Sequence, residues 1–456
     1  MGEAQAQPKW ACLVCRAGKR RCDKRVPSCT RCWRLQIRCV YRHKGEGGTA
    51  AAAAAPFDET LSLQRVDAKV PFPVRGETQM PMLLHSFIET FGMALLPVDD
   101  GSLAFLLRTA WVSRALADPC FFHATLFAAS AHLDALRSVP STSATLYHHT
   151  MALRLIHGKL ALPEGMVDEG TIACIAPLVF FSSMSSDERS SRIHRRGLMQ
   201  MIRVKGGLQK MDLGGFFSAL IPVCVMTEAI IFDSALDIPG VEIPPTPAKP
   251  PTFLVSAVLE RATRETGFYT LSDEAIKIFK DIHTASRDFN DFFPSGSLDR
   301  PLSELTRIKW LNRVQRRIKR GFSTPDNPQL PTTNAIDECC GAAALVFWYI
   351  LDDTSPIDPM VLEYLVADLK TALLKTPVDT WIRRSPDAHA WICLVGAAAA
   401  ARDSNDRAWF SLLLGQSIIC IRSEGAGLYL EGWKMYDWLN RRRKRRVRWL
   451  QQQLVK

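Results

Sequence analysis

Six of the thirteen cysteines, Cys12, Cys15, Cys22, Cys29, Cys32 and Cys39, follow the spacing C-x2-C-x6-C-x6-C-x2-C-x6-C, which is one C-x2-C-x6-C unit written twice. A C-x2-C pair sets two thiolates on the same side of a tight turn entering a helix, and a third cysteine returns after about two helical turns. Each half therefore offers three sulfur ligands. A closed structural zinc site needs four, so six cysteines satisfy two tetrahedral ions only if two thiolates each bridge both metals. Six thiolates against two dications leave a residual charge of about −2, which neighbouring Arg and Lys offset. A core of buried cysteines is a poor alternative, because the segment holds too few large apolar residues to form one. With so little to bury, its folding free energy must come largely from the metal.

The stretch between the second and third cysteines is Arg16-Ala17-Gly18-Lys19-Arg20-Arg21, and Lys24 follows Cys22 closely. Lys or Arg to guanine O6/N7 is the commonest specific contact in the DNA major groove, and surrounding cations neutralise phosphates. The bland alternative is a solvated basic surface. With these residues in view, the segment resembles the fungal binuclear zinc cluster regulators, whose signature is this cysteine spacing with a basic stretch at this place. The resemblance implies two zinc ions per chain, with Cys12 and Cys29 as the bridging ligands and Pro27 shaping the loop between two short helices. It implies that the end of the first helix enters the major groove over a CGG triplet, that Lys19 contacts the guanines, and that Arg16, Arg21 and Lys24 meet phosphates. Gly18 departs from the pattern, standing where a second basic residue is common, so that one of the usual base contacts is either missing or supplied by Arg20.

Charge is distributed to match. Residues 1–48 carry a net +9 and residues 441–456 a net +8, leaving −6 on the remainder of a chain whose total is +11. Localised charge of this kind points to a polyanionic partner for the two ends. The first thirty residues are polar and basic with no apolar h-region, so no secretory signal is expected. The apolar stretches Thr171–Ser186 and Leu213–Thr227 are shorter than the ~18–20 residues needed to cross a bilayer. The expectation is a soluble intracellular protein without membrane partners, in which the thiols stay reduced and metal, not disulfide, explains the cysteine cluster.

The elements that must position this chemistry are short. After Cys39 come Gly45-Glu46-Gly47-Gly48, six alanines from Ala50 to Ala55, and Pro56, a linker composition. Leu61, Leu63, Val66 and Val70 do not sustain a heptad over three or four repeats, so no coiled coil after the cluster is predicted and a homodimer is left open. From about Pro81 the pattern is helical. Asp118-Pro119 supplies a cap and an N1 proline before Phe121, Phe122, Leu126 and Leu133. Leu302, Leu305, Ile308, Leu311, Val314 and Ile318 recur at helical spacing. Period-2 segments of comparable length are missing, so the region reads as all-α, interrupted by loops at Pro239–Pro251 and Ser323–Pro331. Met82–Leu96, Leu116–His132, His194–Leu208 and Trp391–Phe410 resemble the helical domain that commonly follows the zinc cluster in fungal transcription factors, which implies a regulatory or partner-binding domain without catalysis.

Other features point elsewhere. Asp352-Asp353 looks like the start of an acidic metal motif of all-helical isoprenoid enzymes, but Pro356 occupies the fifth position and no second acidic motif follows; a helix-end turn is the simpler reading. His123, His132, His148 and His149 lack carboxylate or cysteine partners at ligand spacing and read as structural. Cys339-Cys340, being adjacent, diverge along a helix. Phosphate-binding glycine loops, HExxH and GxSxG are missing from the sequence. The run Arg441–Arg446 reads as a nuclear localisation signal or a nucleic-acid patch, or else as an exposed helical end held by Trp438 and Trp449.

The resulting expectation is a small zinc cluster module of two short helices at 8–44, a linker at 45–80, a large all-α regulatory domain at 81–440 and a basic tail at 441–456. The expected function is a nuclear, sequence-specific transcription regulator of the RNA polymerase II type. Its partners would be double-stranded DNA and the transcription machinery or co-regulators, with zinc as cofactor and no catalytic residues. The alternatives are an all-helical enzyme, or a protein-interaction protein, with an accessory zinc module.

Overall fold

The computed structural model describes residues 11, 15, 21–25, 29–34, 72–74, 79–92, 102–137, 139–162, 168–184, 187–211, 216–264, 271–287, 289, 335–351, 357–402, 404–421 and 427–454. The chain divides into two compact units, Met1–Asp67 and Ala68–Lys456. In the first, the described helix is α1 (Thr30–Arg34).

The second unit is built from helices, with no strand among the described residues. It opens with α2 (Met80–Thr90), α3 (Leu103–Leu106) and, beyond a five-residue π-helical segment at Leu107–Trp111, α4 (Val112–Ala117). The sequence-predicted start at Asp118-Pro119 is found: Pro119 is the first residue of α5 (Pro119–Leu136), and the Asp118 carboxylate accepts from the backbone N–H of Cys120 at 2.7 Å. Asp118 also receives Lys159 Nζ at 2.6 Å from α6 (Ser143–Leu160), which packs along α5. Next come α7 (Glu169–Met184), α8 (Glu188–Lys205) and α9 (Phe216–Ile231). Gly206, at φ +96°, ends α8, and its N–H returns to the Arg203 carbonyl at 3.0 Å. The left-handed conformation there suits glycine because it has no Cβ.

The Pro239–Pro251 loop is present as expected, irregular between α9 and α10 (Phe253–Arg264). The chain continues through α11 (Asp273–Arg287), α12 (Ala335–Leu351), α13 (Pro359–Leu374), α14 (Val378–Arg384), α15 (Pro386–Ala399), α16 (Asn405–Cys420) and α17 (Gly427–Leu454). The helix expected at Leu302–Ile318, the loop at Ser323–Pro331, and Asp352, Asp353 and Pro356 lie outside the described residues.

Sequence type sorts these helices into layers. α15 is apolar on nearly every face and buried along its whole length, and α7 is buried from Gly170 to Ser183. Helices of that composition belong at the centre, whereas α8 and α11, with one apolar stripe each, belong at the surface. α15 packs against α16 so closely that a Cβ on Gly396 would lie 2.5 Å from the Phe410 ring. Arg407 in α16 is fully buried, donating to the Ala400 carbonyl at 2.6 Å and to the Tyr436 hydroxyl at 3.2 Å, and thereby ties the end of α15 to α17. A buried guanidinium is tolerated where carbonyls and hydroxyls occupy its donors.

Of the histidines read as structural, His123, His132 and His148 are buried and His149 is half-buried, and the fold brings two of them together. His123 and His148 lie Nδ1 to Nδ1 at 3.0 Å, so one donates and the other accepts, and burial lowers the pKa of His123. Burial, and secondarily the neighbouring His123, pulls His148 down to about 4; burial pulls His132 to about 4 and His389 to about 3.

The basic run Arg441–Arg446 differs from the expected tail. It is the continuation of α17, which begins at Gly427. Arg442 Nη2 donates to the Leu351 carbonyl at 2.7 Å, and Arg446 Nη1 to the carbonyls of Tyr349 at 2.5 Å and Ile350 at 2.9 Å. These are orphan acceptors in the last turn of α12, where the helix dipole favours a cation. Arg442 and Arg446 are 9% and 3% exposed, so two of the six cations are consumed inside the fold. Arg441, Arg445 and, further along, Arg448 remain at the surface.

Candidate metal centre and nucleic-acid interface

Of the eleven residues predicted for the site, Cys15, Cys22, Cys29, Cys32, Arg21 and Lys24 are described, while Cys12, Cys39, Arg16, Lys19 and Arg20 lie outside the described residues. The four described cysteines converge. Cys15 Sγ lies 3.6 Å from Cys29 Sγ and 4.0 Å from Cys32 Sγ, and all three side chains are buried. Two thiolates on one tetrahedral zinc, with Zn–S near 2.3 Å, stand about 3.8 Å apart, so these separations have the size a shared ion requires.

α1 provides part of this convergence. Cys29 immediately precedes it and Cys32 sits one turn in, with the Cys32 N–H donating to Cys29 Sγ at 3.4 Å. Backbone N–H bonds to sulfur stabilise the thiolate, and the start of a helix orients the N–H groups that way. Burial, opposed by the Cys32 N–H, pushes the Cys29 thiol above its ordinary value. A dication reverses that balance, since a coordinated thiol is deprotonated outright. Arg31 adds a local cation, its Nη1 4.0 Å from Cys15 Sγ.

Cys29 belongs to two groups of donors. Besides Cys15 and Cys32, it lies within 4.8 Å of Cys22 Sγ and an Asp23 carboxylate oxygen. Asp23 was not anticipated as part of the centre. Its carboxylate accepts from the Thr30 N–H at 2.9 Å and from the Thr30 hydroxyl, and the Thr30 hydroxyl bond is the first cause of its lowered pKa. Asp23 thus anchors the first residue of α1. The available signal was an Asp directly after the third cysteine and a Thr directly after the fourth, a pairing across the loop that spacing rules for metal ligands ignore.

Two predicted contact residues are placed beside the centre. Arg21 is exposed and Lys24 half-buried, and Lys24 adopts φ +57°, an uncommon conformation for a residue with a side chain. Arg25 approaches Asp23 at 3.7 Å.

Two family models match the chain: the fungal Zn(2)-Cys(6) binuclear cluster domain over residues 10–46 and the fungal specific transcription factor domain over residues 83–425. The second spans well over half of the sequence. The chain belongs to the fungal specific transcription factor family. It is a fungal transcription regulator with a DNA-binding zinc cluster at its N-terminal side and a large helical domain after it. No curated protein and no solved structure matches the chain. Among the described residues, no helix is long and apolar enough to cross a membrane.

Proposed function

We propose that this regulator holds two zinc ions on Cys12, Cys15, Cys22, Cys29, Cys32 and Cys39, with Cys12 and Cys29 bridging, and reads CGG-like triplets with Lys19. The observation that carries the reading is the membership of Cys29 in both donor groups, which is what a bridging sulfur needs. Cys15 and Cys22, held by those two groups, bracket the segment that contains Arg16, Lys19, Arg20 and Arg21. A side chain bracketed by two metal anchors keeps a fixed direction, which favours base reading over non-specific contact. Arg16, Arg21 and Lys24 then supply phosphate contacts, with Arg20 available for a second base.

The reading includes nuclear location, action on RNA polymerase II genes through co-regulators, and pairing of two chains on one DNA site. It assigns no catalysis. A Cys–His–Ser grouping does occur in the helical domain, with His389 Nδ1 2.6 Å from Ser417 Oγ and its Nε2 3.7 Å from Cys393 Sγ. All three residues are sealed in the core, and burial drives Cys393 far above the ordinary thiol range, so the grouping supports packing and not nucleophilic attack.

The test is duplex binding across a salt series by the zinc-loaded chain and two variants. Lys19→Ala should lose about 1–3 kcal/mol of preference for CGG over scrambled duplex while keeping its zinc. Lys24→Ala should weaken binding to both duplexes equally and reduce the salt slope by about one unit. Undiminished CGG preference in the Lys19 variant would move the base-reading role to another residue.

A further inference from the structure

α13 has two apolar faces. Leu362, Val366, Leu369 and Leu373 are buried in the domain core. The other face carries Met360, Tyr364 and Leu374, exposed by 78%, 71% and 67%, the highest values among the exposed large apolar side chains described. Exposed Ala367 and Thr371 complete the row. These five positions step by four, three, four and three residues, the 3.5-residue period of a coiled-coil seam. A surface helix needs one stripe to join its own core, and isolated exposed apolar residues are ordinary. A second stripe in coiled-coil register, running about 21 Å at 1.5 Å per residue, fits another helix.

The flanking charges select which helix and in which direction. Glu363 and Lys370 line one edge of the seam; Asp368 and Lys375 line the other. Lys370 is fixed there by Asp406 at 2.6 Å and by the Trp409 ring at 5.3 Å from its Nζ, and Lys375 by Glu338 at 2.6 Å. If two copies of α13 ran parallel, Glu363 would face Asp368 and Lys370 would face Lys375, each twice, and like charges across a seam oppose pairing. In the antiparallel arrangement Glu363 faces Lys370 of the other copy, and two-fold symmetry repeats the contact. Its unfavourable feature is Asp368 near its own copy.

We propose that α13 is a self-association surface, pairing antiparallel with α13 of a second copy of this chain about a two-fold axis near Ala367. The inference deepens the two-chain part of the proposed function by naming the surface. One short helix from each partner covers less than the ~800 Å² per side of a typical stable complex, so the pair is weak in solution. Two chains on neighbouring DNA half-sites would pair at a raised effective concentration.

Three cysteine variants of the full, zinc-loaded chain test the geometry under mild oxidation, with the wild type as baseline. Ala367→Cys should give a disulfide-linked dimer, because the central residue meets its own copy. Met360→Cys should not link to itself, since the two copies of that position stand about 20 Å apart along the axis, but a mixture of Met360→Cys and Leu374→Cys should form a linked heterodimer. Sedimentation should show a concentration-dependent dimer that Tyr364→Lys weakens at least tenfold while leaving the unfolding midpoint unchanged. Self-linking of Met360→Cys would establish a parallel or non-specific contact and overturn the proposal. So would a chain that stays monomeric and unlinked in every variant, or a monomeric chain whose unfolding midpoint falls with Tyr364→Lys, which would mean that the chain covers this face itself. None of these measurements involves DNA, so loss of CGG preference in a chain that still links at position 367 would sink the base-reading assignment alone.

Discussion

Replacing Arg446 by alanine should destabilise the helical domain by about 2–4 kcal/mol, whereas the same change at Arg445, one residue earlier in the same basic run, should cost less than about 0.5 kcal/mol. Arg446 is 3% exposed and gives one guanidinium nitrogen to the carbonyls of Tyr349 and Ile350. Ile350 keeps a second donor, Arg442 Nε at 3.2 Å, so the Tyr349 carbonyl bears the main loss. A charged bond to a buried acceptor is worth about 1.5–3 kcal/mol, and a cation at a helix C-terminus adds roughly 0.3–1. Arg445 points to solvent, where truncation removes little. Arg446→Lys, which keeps the charge but not the planar fork, should fall between. Urea unfolding of the three variants, comparing midpoints at unchanged slope, measures this directly. An Arg446→Ala midpoint equal to that of Arg445→Ala would refute the capping argument. The same geometry dictates how nuclear import should be tested. Alanine at all six positions of Arg441–Arg446 would confound import with unfolding, so the informative variant replaces exposed Arg441, Arg445 and Arg448.

Metal analysis of the intact chain should return two zinc ions, and a strong chelator should abolish DNA binding and the order of the cysteine unit while sparing most helical signal; one zinc per chain would reject the bridged arrangement. Gly396→Ala should cost about 1–3 kcal/mol or more, read as a lowered unfolding midpoint, because the new methyl meets a fully buried Phe410 ring that has no space to withdraw into. Acid should weaken the helical domain before carboxylates protonate. His132, His148 and His389 are held neutral to about 4, 4 and 3 when folded but take protons near 6.5 when unfolded, so stability is full above pH 6.5 and falls as pH drops through that window. Each contributes up to about 1.4 kcal/mol per pH unit. Unfolding midpoints that stay level from pH 6.5 to 4.5 would contradict the burial of these rings.

The cysteine cluster was legible in the sequence because coordination chemistry is local: four of the six spaced cysteines, Cys15, Cys22, Cys29 and Cys32, converge without help from any distant residue. The all-α class was legible from periodicity, and the start of α5 from Asp118-Pro119, since caps act within one turn. What spacing could not show is which side chains are consumed by neighbours remote in sequence. Arg442 and Arg445 are equivalent as text, yet one is drawn to carbonyls some ninety residues earlier while the other stays in water. His123 and His148 become partners only when α5 and α6 lie together, and Asp23, adjacent to Cys22, is engaged by the N–H and hydroxyl of Thr30 seven residues on. The second stripe of α13 carries the same lesson. Met360, Tyr364 and Leu374 are as large as Leu362, Val366 and Leu369 and share their helical spacing, and packing decided that the latter three enter the core while the former three remain outside it. Periodicity identifies faces, but the identity of the neighbour on each face is a property of the tertiary fold.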